Sequence, residues 1–168
     1  QYPEMVDALI TVGAGLSGYD FGQPDAELAA QFAAWEAAFK SDDIPRAVEI
    51  SLQIWTDGPE RKPEQVDPVV RERIRAMTTH NYERGDDEDV DPVEMTPPAA
   101  GRLAEIHVPT LVIVGSQDAH AIRAIADALV NGIAGAQKVV IPGTAHHPNV
   151  EKPQEFNRAV IEFLEGLA

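Results

Sequence analysis

The fold is clearest in Thr110-Leu111-Val112-Ile113-Val114-Gly115-Ser116-Gln117-Asp118. A short apolar, β-branched run stops at a glycine, and a carboxylate follows three places later. Such a run is a buried strand rather than a helix, because it is too short and too β-branched to be one. Downstream the pattern continues. Ile122 to Val130 has the spacing of an amphipathic helix and closes near Asn131-Gly132. Lys138–Ile141 is a second strand, ending in Pro142-Gly143-Thr144-Ala145-His146-His147. Pro153 to Leu167 is a final helix, with Phe156, Val160, Phe163, Leu164 and Leu167 as its core stripe. Strands alternating with helices of this length imply βαβ units and a parallel sheet.

Working back towards the start, residues 8–12 (Ala-Leu-Ile-Thr-Val) form a third strand that stops at Gly13, and a glycine-rich loop runs from Gly13 to Gly22. Helices then interrupt the alternation. The first opens at Pro24 and Asp25, with Leu28, Phe32, Trp35 and Phe39 at helical spacing. The second is capped at Ser41-Asp42-Asp43 and carries Ile44, Val48, Ser51, Leu52 and Trp55 on one face, ending at Asp57-Gly58-Pro59. Asp67-Pro68 reads as the cap and first residue of a third, running to about Thr78. The chain therefore divides into strand and glycine loop (1–22), inserted helical subdomain (23–82), acidic connector (83–101) and C-terminal core (102–168). The acidic run around Asp86, Asp87, Glu88 and Asp89 is a solvated connector. A calcium loop would want Asp or Asn at alternating positions, a mid-loop glycine and a closing Glu, but here Gly85 precedes the run and that register is absent.

Composition narrows the function. The 168 residues carry 13 Lys+Arg against 28 Asp+Glu, a net charge of −15. That balance argues against non-specific nucleic-acid binding and against docking on anionic lipid. There is no cysteine, so no disulfide framework and no thiolate metal site, which fits a cytoplasmic setting. No apolar run approaches a membrane span, and no charged segment followed by an apolar one opens the chain. The first residue is Gln rather than Met, and Gln1-Tyr2-Pro3-Glu4 reads like the middle of a longer sequence.

In an open parallel sheet, ligands bind beyond the carboxyl ends of the strands. The three strands end in Gly13-Ala14-Gly15, in Asp118 and in His146-His147. A carboxylate and an imidazole leaving one sheet edge from neighbouring strands can form an acid–base pair. The plainer alternative is that Asp118 caps the next helix and His146 is a loop residue. A metal held by Asp118, His120, His146 and His147 is conceivable, but the shared edge favours the acid–base pair, and neither metal nor cofactor is expected.

Two motifs are weaker than they look. Gly13-Ala14-Gly15-Leu16-Ser17-Gly18 spells G-x-G-x-x-G after a strand, the form of a dinucleotide fingerprint. That mechanism needs a helix to begin at the loop so that its amides meet a pyrophosphate. Tyr19-Asp20-Phe21-Gly22-Gln23-Pro24 is a poor helix start. Gly15-Leu16-Ser17-Gly18-Tyr19 falls one residue short of the nucleophile motif G-x-S-x-G and lacks its strand-elbow-helix setting. Ser41, Ser51 and Ser116 occupy a helix cap, a helix and a strand-end loop. The chain shows no convincing nucleophile.

The C-terminal third resembles the end of an α/β-hydrolase. Ile106-His107-Val108-Pro109-Thr110-Leu111-Val112-Ile113-Val114-Gly115-Ser116-Gln117-Asp118 is similar to that family's strand and acid loop, I-x-V-P-T-L-V-I-x-G-x-x-D. Ile141-Pro142-Gly143-Thr144-Ala145-His146-His147-Pro148-Asn149-Val150-Glu151-Lys152-Pro153 is similar to its histidine loop, P-G-x-G-H-x-P-x-x-E-x-P, with Ala145 replacing the usual glycine. Tyr2-Pro3-Glu4-Met5-Val6 through Gly13 resembles the segment that follows the nucleophile helix.

The resemblance implies an α/β fold comprising the C-terminal portion of a hydrolase sheet, three parallel strands with flanking helices, and a helical cap at 23–82. It implies Asp118 and His146 as acid and histidine of a triad, with the nucleophile lying upstream of this chain. Trp35, Phe39, Trp55 and Met77 would contact a small-molecule substrate, an ester or lactone similar to those of enol-lactonases. The chain alone would be inactive. Strand 8–12 would present an open edge, so the partner would be the N-terminal half of a hydrolase, or a second copy joined through that edge. A non-catalytic interaction module and a flavin or nicotinamide protein built on Gly13, Gly15 and Gly18 stay open as alternatives.

Overall fold

The computed structural model describes residues 3–20, 22, 26–84 and 96–167. The acidic run over 85–95, with the calcium-loop question attached to it, lies outside the described residues. The strands are β1 (Leu9–Val12), β2 (Thr110–Gly115) and β3 (Gln137–Ile141). The α-helices are α1 (Ala26–Lys40), α2 (Ile44–Ser51), α3 (Pro68–Arg84), α4 (His120–Gly132), α5 (Pro148–Glu151) and α6 (Pro153–Glu165). They belong to two compact units, residues 1–20 with 94–168, and residues 21–93.

The first unit is built on a parallel sheet of order β1-β2-β3. β2 lies in the centre and is buried along its whole length, which is why it reads as an unbroken apolar run rather than an alternating one. Leu111 and Ile113 point to one face, where they meet Ile141 of β3 and Phe163 of α6, with Ile10, Val12, Phe156 and Val160 packed around them. Val112 and Val114 are equally buried and alternate to the opposite face. On α4, Ile122, Ile125, Ala126 and Leu129 form the buried stripe, at the spacing of one helical face. Each of the larger apolar side chains among these contributes roughly 1.5–3 kcal/mol on leaving water.

Sequence expectations for this unit need correction at two helices. α4 begins at His120, ahead of Ile122. Leu164 and Leu167 are exposed rather than part of the core stripe, whereas Phe163 is buried. Leu164 lies about 100° around the helix from Phe163, so the two cannot share the narrow contact with a three-stranded sheet.

The second unit is helical. Asp43 caps α2, its Oδ1 accepting the Arg46 N–H at 3.2 Å, and Asp67 caps α3, its Oδ1 accepting from Val69 at 2.8 Å. The expected second helix does not run on as one α-helix. After Ser51 it widens into a π-helix over Leu52–Asp57, ended by Gly58 at φ +74°. The wider turn shifts the register, so Ile54, Thr56 and Asp57 are buried with Leu52, while Trp55 is only partly so.

Charged side chains fasten this turn. Arg61 donates to the carbonyls of Thr56 at 2.6 Å and Asp57 at 2.9 Å. Arg71 grips both oxygens of the buried Asp57 carboxylate at 3.0 and 3.1 Å, and donates to Glu49 at 2.7 Å. Burial pushes the Glu49 carboxyl up, but hydrogen bonds from Arg71 and Arg75 outweigh it and hold the group below its usual range. The hydrogen bond to Asp57 is the main reason Arg71 holds its proton more tightly than usual. α3 continues to Arg84, beyond the expected end near Thr78. Among the described residues, no helix is long and apolar enough to cross a membrane.

Candidate active site

Asp118 and His146 meet because β2 and β3 are adjacent and parallel. Gly115 is in register with Ile141, so the loops that follow leave one sheet edge together. They are stitched along their length. Ser116 N–H donates to Ile141 O at 3.1 Å, and Gln117 N–H donates to Thr144 O at 2.8 Å. Gly143 N–H donates to Ser116 Oγ at 2.8 Å. A Cβ on Gly115 would lie 2.1 Å from the Ala145 carbonyl oxygen, so only glycine lets the histidine loop cross here.

The Asp118 side chain is 1% exposed, which for a carboxylate demands partners. It has two. Oδ1 accepts the Ala119 N–H at 2.8 Å, and His146 Nδ1–H donates to Oδ2 at 3.0 Å and to Oδ1 at 3.2 Å. Asp118 is therefore not the cap of α4, since Ala119 holds that position. An Nδ1 committed to a carboxylate leaves Nε2 as the basic nitrogen of the ring. The His146 side chain keeps 24% of its surface exposed. The pair thus has a buried anchor and a ring that reaches the surface, which suits proton transfer.

The glycine loop takes a different role from that of a phosphate cradle. No helix begins at it, since residues 13–20 are turns and irregular backbone. Gly13, at φ +52°, donates to Ile113 O at 3.0 Å, and a Cβ there would stand 3.0 Å from His146 Nδ1 and Cε1. Ser17 O accepts from Ala100 N–H, and Gly18 faces the Pro98 ring. The loop does not fit the dinucleotide alternative built on Gly13, Gly15 and Gly18, because no helix begins within residues 13–20 to meet a pyrophosphate. Gly13 makes room for the imidazole instead. The motif was visible in sequence, but its use was not, because the histidine it serves lies far along the chain.

His147 is partly buried beside the pair, its ring edge-on to His146 with centroids 5.5 Å apart. Burial, then the charge on His146, push its pKa down to about 4, against the opposing pull of Asp118. His120 turns towards the Arg123 guanidinium, which also donates to Ser116 O at 3.0 Å. Among the described residues, no cluster of three or more His, Asp or Glu could hold a metal ion.

The four residues expected to contact substrate all lie in the helical unit. Trp35 stacks on Phe39 at 5.6 Å. Tyr82 stands edge-on to both rings, and its hydroxyl accepts the Trp35 indole N–H at 2.9 Å. Trp55 pairs edge-on with Phe32 at 5.9 Å, and Met77 is exposed. Tyr82 escaped the sequence reading because α3 was expected to end before reaching it.

No protein-family model matches the sequence, and no curated protein is similar enough to it to count as a match. Solved structures do match. A hydrolase from Pseudomonas aeruginosa PA01 is similar at 28% identity and a TM-score of 0.65, over 96% of this chain and 57% of that one. A thermophilic esterase from Thermogutta terrifontis is similar at 24% identity and 0.74, over 99% and 58%. The enol-lactonase from Burkholderia xenovorans LB400 is similar at 21% identity and 0.64, over 98% and 58%. The chain has a partial α/β-hydrolase fold, and it spans less than two thirds of the length of these structures.

Proposed function

We propose that this chain supplies the acid and the histidine of a nucleophile–acid–histidine hydrolase acting on a small ester or lactone. The observation that carries the reading is the buried Asp118 carboxylate held 3.0 Å from His146 Nδ1 at the ends of adjacent strands. His146 Nε2 takes the proton of the nucleophile as it attacks the carbonyl. Asp118 fixes the tautomer and stabilises the imidazolium that forms. His146 then returns that proton to the leaving group and activates water for the second step. The serine nucleophile and most oxyanion donors come from polypeptide outside this sequence, which pairs along the open edge of β1 and completes the site. The half-exposed rings of Trp35, Phe39 and Trp55, with Met77, form the candidate substrate-binding surface. The esterase and enol-lactonase among the similar structures support the substrate class.

Labelling with a fluorophosphonate serine-hydrolase probe tests this. The chain alone is expected to stay unlabelled. Mixed with a polypeptide carrying the upstream strands and a G-x-S-x-G elbow, it should support labelling of that serine, and His146→Ala should abolish it. Assembly without labelling would sink the catalytic reading and favour a non-catalytic interaction module.

A further inference from the structure

His146 sits in a segment whose two flanks are both fastened to one residue. On one side, the Ala145 N–H donates to Glu151 Oε1 at 2.7 Å. On the other, the Glu151 N–H donates to the His147 carbonyl at 2.9 Å. Glu151 thus uses its side chain and its backbone to close a short ring of residues from Ala145 to Glu151, with His146 inside it. The arrangement is reciprocal in the manner of a capping box, but it encloses a functional side chain rather than simply starting a helix.

We infer that Glu151 is a positioning residue for His146, holding the imidazole against Asp118. This rests on the acid–base reading of that pair. An N–H to carboxylate bond is charge-assisted and roughly twice as strong as a neutral one. Ala145 is fully buried, so its N–H has no water to fall back on if the carboxylate is removed. The ring has little slack elsewhere. Gly13 backbone stands against its Nδ1 side, and the loop before it is pinned by Gln117 N–H to Thr144 O. A backbone shift of about 1 Å at Ala145 would be enough to spoil the contact with Asp118.

The test uses the full chain, with nitrogen-15 imidazole NMR and amide hydrogen exchange. The native chain should show a solvent-protected His146 Nδ1–H signal, missing in Asp118→Asn. Its absence from the native chain would overturn the acid–base pair itself. Given that signal, Glu151→Ala should lose it and should exchange the Ala145 amide at least about tenfold faster, consistent with a lost hydrogen bond of about 1.4 kcal/mol or more. The amides of Leu111 to Val114 should stay protected. Glu151→Gln keeps an acceptor oxygen and should retain the signal. A protected Nδ1–H signal that survives in Glu151→Ala would overturn the positioning role, whatever the Ala145 amide does. Should Glu151→Ala lose the protection of β2, Glu151→Gln decides. A retained signal with protected β2 supports the role, and a lost signal with protected β2 overturns it.

Discussion

His147 shows how a single position can be set by its neighbours. Its ring lies edge-on to His146 and near Asp118, and its folded pKa is pushed down to about 4 from an ordinary 6.5, mainly by burial. The unfolded chain therefore binds more protons at this residue between those two values. The stabilisation from a neutral, buried His147 is complete above about pH 6.5 and is lost as pH falls towards 4. Replacing it by Phe should flatten that part of the profile. Urea midpoints at neutral and at mildly acidic pH check this, with Asp118 and His146 unchanged in both proteins. Parallel profiles for the two would count against the assignment. Gly13 and Gly115 make the complementary point. Each is glycine because another segment's atoms occupy the space a Cβ would need.

Among the elements, the turn over Leu52–Asp57 depends most on charge. Asp57 is buried, and its carboxylate is gripped by two nitrogens of a guanidinium that is itself only 13% exposed. Breaking a buried pair from one side costs about 3–5 kcal/mol, and here the loss falls at the low end because Arg71 keeps the more exposed Glu49. Asp57→Ala should therefore lower the stability of the helical unit by about 3 kcal/mol. Glu49→Ala should cost clearly less, because Glu49 is more open to solvent and Arg71 keeps Asp57. Chemical denaturation followed by tryptophan fluorescence reads both, since Trp35 and Trp55 lie in this unit. Equal losses would mean that burial is not what sets the energy. Strands and helices were legible in sequence because hydrophobic period switches from continuous runs to 3.6-residue spacing. The π-helical turn was not. Arg71, 14 residues beyond Asp57, fastens it through a contact that hydrophobic periodicity does not report.

At the scale of the whole molecule, the described sheet leaves β1 open on one side. Leu9 and Gly13 donate their N–H groups to Pro109, just before β2, and to Ile113 within it, so the alternate groups of Ile10 and Val12 point away from β2. A parallel edge flanked by apolar residues invites pairing. The chain alone is expected to associate as its concentration rises, and a polypeptide carrying the upstream hydrolase strands should disperse that association into a defined complex. Sedimentation velocity separates the outcomes. A single monomeric species at every concentration, unaffected by the added polypeptide, would refute the open-edge argument.

The parallel sheet, the order of strand and helix in the core, and the two loops that carry Asp118 and His146 could all be read from the linear chain. These depend on local composition and on periodicity, which a linear chain displays in full. It took the folded chain to show that the carboxylate and imidazole stand 3.0 Å apart, that Gly13 yields space to the ring rather than to a phosphate, and that Glu151 clasps both flanks of the histidine. Those facts depend on backbone atoms from distant segments arriving at one place. No residue's own chemistry announces which neighbour will fill the space beside it.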